Sequence, residues 1–128
     1  MAIASSLQAL FEFFRSYLKS FPPDTYKFLE LRYGLRTGRP LSLREAGKRW
    51  KGVSRQRAHQ ILSRTLDQLK RVEATFLPLY HKGVREILHK YGGLITLSNF
   101  QKEWRAYAPS PHFGAGILWL LNDYFHHK

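Results

Sequence analysis

Residues 41–70 read LSLREAGKRWKGVSRQRAHQILSRTLDQLK and contain two helix-start signals on either side of a turn. Ser42 is followed three residues later by Glu45, the spacing of a capping box, and Ser54 precedes a second segment with helical spacing of apolar residues. Gly52 lies between them, where a tight turn favours glycine. The stretch therefore predicts a helix-turn-helix whose second helix spans about residues 54–70.

The second helix of this motif has an apolar stripe and a basic outer side. The stripe consists of Ala58, Ile61, Leu62, Thr65, Leu66 and Leu69. Outside it lie Arg55, Gln56, Arg57, His59, Gln60 and Arg64. Arginine pairs with guanine and glutamine with adenine across the major groove of DNA. The pattern therefore predicts a helix that presents base-reading side chains.

The charge balance favours a polyanionic partner. Lysine and arginine number 21 against nine acidic residues, and the net charge of +12 is spread over the chain rather than confined to a tail. A folded basic protein of this kind is expected to bind nucleic acid. Solubility alone and binding to a membrane surface are alternatives, but neither accounts for the arginines that cluster after Ser54.

Several classes of protein are disfavoured. The absence of cysteine excludes disulfides, thiolate metal sites and cysteine nucleophiles. No apolar run approaches the roughly 18 residues of a membrane span, and residues 1–6 lack the order of a signal peptide, so we expect a cytoplasmic location. The acids are scattered, no glycine-rich phosphate loop is present, and His81 and His89 lack a third ligand nearby. We expect no catalytic residue, no cofactor and no metal site.

The remaining segments also predict helices, which makes the expected fold all-α. A first helix from Ser5, ending before Pro22, carries a dense aromatic stripe that suits core packing, with partner docking as the alternative. A second helix spans Asp24 to Tyr33 and is closed by Gly34. Pro78 is expected to kink or end the long helix that begins at Ser54.

The C-terminal part predicts three further helical segments. The first carries Val84 and Ile87, the second begins at a Thr96 cap, and the third begins at Ser110-Pro111. Trp104 and Trp119 lie in apolar periodic stripes, so both are expected in the core rather than stacked on nucleic acid bases.

A resemblance gives these patterns a family. FLELRYGLRTGRPLSLREAGKRWKGVSRQRAHQILSRTLDQLKR resembles region 4 of the sigma-70 family of bacterial transcription initiation factors, through LRYGL, SLREAGK, GVSRQRAHQI and the LxxLKR ending. The resemblance covers about residues 21–72. It implies a region 4-like DNA-binding domain over residues 1–77, including the N-terminal helix. The helical segments of residues 78–128 predict a separate small three-helix module, which loosely resembles a degenerate winged helix.

The resemblance also implies functional residues. Base contacts would fall to Arg55, Gln56, His59 and Gln60. Phosphate contacts would fall to Arg39, Ser42, Lys51, Ser54, Arg57 and Arg64. Contacts with the beta flap of RNA polymerase would fall to Phe28, Leu31, Arg32 and Tyr33.

The chain departs from the family at three positions of the motif. Gly47 and Gly52 are five residues apart where the family has four, so Lys51 looks inserted. We therefore expect either a looser turn or a longer helix before Gly52. Gln56 stands where the family commonly has glutamate, which changes the preferred base. His59 stands where the family has arginine; a solvent-facing histidine without a role is the alternative.

The twenty residues before the match are too few for region 2, which binds polymerase and melts promoters in this family. The chain is therefore expected to be a free-standing relative or an excised domain. The leading hypothesis is a sequence-specific transcription regulator that acts with RNA polymerase, with a homodimer through the C-terminal module as a further expectation. The alternatives are a phage-type region 4 mimic that occupies the polymerase flap or a sigma factor, and the DNA-binding domain of a larger protein.

Overall fold

The computed structural model describes residues 2–127, with side chains from residue 6 onwards. These residues form seven helices and contain no strand, which confirms the all-α fold. The helices are α1 (Ala2–Lys19), α2 (Pro23–Tyr33), α3 (Leu43–Lys51), α4 (Arg55–Lys70), α5 (Glu73–Lys90), α6 (Leu97–Ala106) and α7 (Pro111–His126). Within the described part of the chain, no helix is both long and apolar enough to cross a bilayer.

Four helices begin at hydroxyl side chains that the sequence identifies as caps. The hydroxyl oxygens of Ser42, Ser54, Thr96 and Ser110 each accept a hydrogen bond from the backbone amide three residues later, at 3.1–3.2 Å. Such a bond satisfies one of the amides that the first turn of a helix leaves without an intrahelical partner. The predicted starts of α3, α4, α6 and α7 are therefore confirmed.

The prediction for Pro78 is wrong, because this residue lies inside α5 and does not end a helix. The break after α4 comes earlier, at Arg71 and Val72, whose amides bond to carbonyls only three residues back. Pro78 removes one amide from the second turn of α5, and its side chain is exposed. The predicted module boundary after residue 77 thus lies within a helix, and the division into two modules stays a prediction.

The first helix begins at Ala2 rather than at Ser5, whose side chain lies outside the described ones. Its aromatic stripe packs in the core, as expected, and α1 lies along α5. The ring of Phe14 is 5.3 Å from that of Phe76, and the ring of Phe11 is 5.2 Å from that of Trp104. The stripe therefore joins the N-terminal and C-terminal halves of the chain through one hydrophobic core.

Helix α7 packs against α6, α2 and α1, and polar contacts fix its position. The Asp123 carboxylate accepts hydrogen bonds from the Tyr33 hydroxyl at 2.8 Å and from Arg32 Nη2 at 3.1 Å. Burial, followed by the neighbouring Asp123 carboxylate, raises the pKa of Tyr33 far above its ordinary value. At the next residue of α7, the Tyr124 hydroxyl donates to Glu73 at the start of α5.

The two tryptophans of the C-terminal part differ in burial. Trp104 is fully buried and donates its indole N–H to the Gly114 carbonyl at 2.8 Å, as a core residue should. Trp119 is 52% exposed, so the prediction that it lies in the core is wrong. Ile117, Leu121 and Tyr124 form the buried side of α7, and Trp119 projects from the opposite side of this nearly all-apolar helix.

Candidate DNA-binding site

The turn between α3 and α4 is wider than an ordinary helix end. Gly52 has a left-handed backbone, with φ of 63°, and the Val53 amide donates to the Gly47 carbonyl six residues earlier, at 3.1 Å. After Gly34, the Leu35 amide reaches back only five residues, which is the usual closure. The α3 end thus accommodates one extra residue, in agreement with the predicted insertion at Lys51.

The close crossing of α3 and α4 depends on a small residue. A Cβ added at Gly47 would lie 3.0 Å from the Cβ of Ala58 and 3.2 Å from the Val53 carbonyl oxygen. Both Gly47 and Ala58 are buried at this crossing. The crossing holds α4 firmly against α3 despite the wider turn, because close-packed helices leave little room for a relative shift.

The two sides of α4 have the burial that the sequence predicts. The stripe is buried throughout; it consists of Ala58, Ile61, Leu62, Thr65, Leu66 and Leu69. At 100° per residue, the direction opposite this stripe passes through Gln56, Gln60 and Asp67, all of which are exposed. The centre of the outward side of α4 is therefore polar, with two amides near the start of the helix and one carboxylate further along.

All four predicted base-contact residues are exposed and lie within the first two turns of α4. Gln56 and Gln60 lie at the centre of the outward side, and Arg55 and His59 on one flank. The Gln60 side-chain carbonyl accepts a hydrogen bond of 3.3 Å from Arg57 Nη1. The amide nitrogen of Gln60 stays free to donate, and its oxygen keeps a second lone pair with which it can accept.

The six predicted phosphate-contact residues are all exposed, but they are not equally free. Arg57 and Arg64 flank the glutamines on the side opposite Arg55. Lys51 Nζ forms an ion pair of 2.7 Å with Asp24 and lies 4.9 Å from the centre of the Trp50 ring.

The hydroxyls of the two predicted serines also differ. Ser42 uses both its acceptor and its donor within α3, because its hydroxyl donates to Glu45 Oε1 at 3.1 Å. The Ser54 hydroxyl accepts from the Arg57 amide and keeps its proton available to a phosphate oxygen. Arg39 lies exposed on the turn between α2 and α3.

Sequence reasoning missed three cations on α3. Arg44, Lys48 and Arg49 are exposed on this helix, and Lys48 and Arg49 lie in its last turn, before the turn that leads into α4. Their spacing outside the buried Ala46 and Gly47 could have identified them as a solvent-facing basic surface. They extend the positive charge beyond the recognition helix.

The predicted polymerase-contact residues are not assembled into an exposed surface. Phe28 is fully buried with its ring 5.4 Å from that of Trp50, and Tyr33 is 3% exposed. Neither offers a surface to a partner, which corrects the prediction for these two residues. Arg32 is part-buried by its bonds to the Leu41 carbonyl and to Asp123, and Leu31 is half-buried.

The end of α7 reaches the recognition helix, which the sequence did not indicate. His127 Nε2 lies 2.8 Å from Asp67 Oδ1, near the C-terminal end of α4. Residues 2–127 contain no group of three or more potential metal ligands, so neither His127 nor His81 and His89 form part of such a group.

Comparison with protein families agrees with this geometry. Residues 17–71 match the family model for sigma-70, region 4. This segment is a sigma-70 region 4 domain. The matched range contains all of α2, α3 and α4. It nearly coincides with residues 21–72, whose sequence resembles region 4, and the predicted family of this segment is thereby confirmed. No solved structure gives a significant match to the chain.

A sigma region 4 domain is a DNA-binding helix-turn-helix rather than a catalytic domain. In such motifs the second helix enters the major groove and its N-terminal residues contact base edges. In this region 4 domain that helix is α4, and the residues at its N-terminal end are the four exposed side chains described above.

Proposed function

We propose that this protein is a sequence-specific transcription regulator that reads promoter-type DNA through α4 and acts together with bacterial RNA polymerase. One observation carries the proposal. Arg55, Gln56, His59 and Gln60 are exposed together at the N-terminal end of α4, with the two glutamines on the side away from its buried stripe. A region 4 domain that lacked sequence preference would have no need for this set of base-reading side chains at that position.

Arg55 and the two glutamines have defined roles in the proposal. Arg55 pairs bidentately with a guanine, and each glutamine pairs with an adenine through its oxygen and nitrogen. Gln60 can do so while its oxygen still accepts from Arg57, because an amide oxygen has two lone pairs. A phosphate contact by Arg57 would therefore act on the position of a base-reading side chain.

Phosphate contacts supply the remaining affinity. Arg57 and Arg64 flank the glutamines, and the free amides of the first turn of α4 point towards the same region as the Ser54 hydroxyl. Asp67 places a negative charge further along the outward side, where DNA would repel it. Its contact with His127 reduces that repulsion when the imidazole is protonated.

Partnership with RNA polymerase follows from the affinity that one helix can provide. A single helix in one major groove usually binds modestly, and a second simultaneous contact raises the effective affinity. Of the four predicted polymerase-contact residues, Leu31 and Arg32 keep part of their surface exposed. We therefore expect the polymerase contact to include α2 around these two residues rather than Phe28 or Tyr33.

Alanine substitution on a selected DNA site tests the proposal. Arg55→Ala and Gln60→Ala should each weaken binding by about 5- to 150-fold, the equivalent of 1–3 kcal/mol, and relax preference for one base. Arg64→Ala should weaken binding to every duplex alike. Lys102→Ala on α6 removes an exposed charge outside the region 4 domain and serves as the control.

Two results would count against the proposal. Base preference that is unchanged in both Arg55→Ala and Gln60→Ala would contradict base reading by α4. Capture of the protein by purified polymerase that is unaffected by Leu31→Ala and Arg32→Ala would contradict the expected contact surface on α2.

A further inference from the structure

An open groove runs between α6 and α7, away from the recognition helix. Its volume is about 530 Å³, and its apolar lining includes Tyr80, Leu97, Phe100, Leu118, Trp119 and Phe125. None of these residues belongs to the matched region 4 segment. Gly38 is the one described lining residue inside that segment, so the groove is formed mainly by the part of the chain to which no function has yet been assigned.

The apolar side chains of this groove are unusually exposed. Leu97 is 72% exposed, Trp119 52% and Phe125 44%. These are three of the four large hydrophobic side chains that the described residues expose; the fourth, Leu94, does not line the groove. Contiguous exposed apolar surface with a polar rim marks protein-binding sites on soluble proteins.

The charge around the groove is of one sign. Arg105 is the one charged side chain among the described lining residues, and its Nε donates to the Gln101 carbonyl of its own helix at 3.3 Å. It makes no ion pair with a carboxylate in the described part of the chain. The lining also includes Gly38, which precedes the exposed Arg39 in the chain. A segment that fills the groove would thus meet positive charge and no negative charge.

We propose that this groove binds an acidic amphipathic helix of another protein. The apolar side of that helix would cover Trp119 and Leu97, and its carboxylates would pair with Arg105 and approach Arg39. Recognition of a helix in an apolar groove is a recurring binding mode. Charge complementarity supplies the choice of partner, because a carboxylate gains most where an arginine has no acid of its own.

A second copy of this chain fits the groove less well. Each chain carries a net charge of +12, so two copies repel one another as they approach. The groove also offers no acidic side chain with which Arg105 of another copy could pair. The favoured occupant is therefore acidic, which makes the inference independent of the proposed DNA reading by α4.

A displayed library of randomised 16-residue helical peptides tests this inference with the whole chain as bait. Enriched peptides should combine apolar residues at helical spacing with a net negative charge. Trp119→Ala and Arg105→Glu should each weaken their binding at least tenfold. Leu94→Ala and Lys102→Ala remove an exposed apolar and an exposed basic side chain outside the groove, and should leave peptide affinity unchanged.

Circular dichroism of each variant checks that the fold is retained, which is expected because Trp119 and Arg105 are both exposed. Failure to enrich acidic amphipathic peptides would overturn the inference, as would peptides that bind Trp119→Ala as tightly as the parent. Self-association of the parent chain that Trp119→Ala abolishes would assign the groove to a second copy instead. DNA affinity should be the same in Trp119→Ala and the parent, so the two proposals can fail separately.

Discussion

Replacement of Asp123 tests whether the region 4 domain depends on α7 for its stability. The carboxylate accepts hydrogen bonds from Tyr33 and Arg32, two residues of α2 that lie 90 and 91 positions earlier in the chain. The side chains of Arg32 and Asp123 are 22% and 24% exposed, and Tyr33 is 3% exposed. Asp123→Ala leaves the Tyr33 hydroxyl buried without its acceptor, whereas Arg32 can still recover water and keeps its bond to Leu41.

The magnitude follows from these two bonds. A hydrogen bond to a charged group contributes about 1.5–3 kcal/mol, and a buried group left without a partner costs about 1–3 kcal/mol. Because Arg32 is partly solvated, we assign most of the loss to Tyr33 and expect Asp123→Ala to cost about 2–3 kcal/mol. For a chain of this size that equals a fall in Tm of roughly 8–12 °C. Asp123→Asn keeps an acceptor and should lose about half as much.

Urea denaturation monitored by circular dichroism measures the loss of stability. The free energy of unfolding should fall with urea concentration at the same slope in the variant and the parent, as expected when both unfold in two states. Asp67→Ala is the matched control, since Asp67 is 70% exposed in its contact with His127 and should change stability by less than about 0.5 kcal/mol. The double variant Asp123→Ala/Tyr33→Phe should lose less free energy of unfolding than the sum of the losses in the two single variants, because both remove the same hydrogen bond. An Asp123→Ala variant as stable as the Asp67→Ala control would refute this account of how α7 is attached.

Three further predictions concern the backbone and the tyrosines. Gly52→Ala should lower the free energy of unfolding by about 1 kcal/mol, because φ is 63° while no atom lies within 4 Å of the added Cβ; an unchanged urea midpoint would contradict this. Pro78→Ala should raise the free energy of unfolding by about 1–2 kcal/mol, because alanine restores a backbone amide to α5. A lower urea midpoint in this variant would contradict that explanation. The raised pKa values of Tyr33 and Tyr124 mean that the folded state keeps protons that the unfolded state releases. Their contribution to stability is therefore complete below the ordinary tyrosine pKa of 10 and is lost as pH rises above it, so the urea midpoint should fall above pH 10. Ultraviolet titration should show that both tyrosines ionise only when the chain unfolds. Ionisation of every tyrosine near pH 10 in the folded chain would contradict this prediction.

Local interactions explain the part of the fold that the sequence predicts well. The caps at Ser42, Ser54, Thr96 and Ser110 involve residues three positions apart, and the stripe of α4 follows from helical period alone. The exposure of Gln56 and Gln60 follows from the same period, whereas Arg55 is exposed because it is the first residue of the helix. These features need no knowledge of what packs where.

Features that depend on distant contacts were missed or mispredicted. Tyr33 is buried because α7 returns to it with Asp123, and nothing near Tyr33 in the sequence indicates that contact. Helix α7 is apolar on nearly every side, so its periodicity could not decide that Trp119 faces outwards. The sequence wrongly predicted that Pro78 breaks the helix that begins at Ser54. That helix ends earlier, at the turn of Arg71 and Val72, and this earlier end places Pro78 inside the next helix, α5.

Selection of bound duplexes from a random pool tests the central claim, base reading by α4, most directly. The selected sequences should share a short motif, and the tightest should exceed random duplex in affinity by at least about 100-fold at the same salt concentration, the worth of two good base contacts. The Arg55→Ala chain should lose preference at one position of that motif. A pool that yields no shared motif, with equal affinity for selected and random duplex, would contradict the claim.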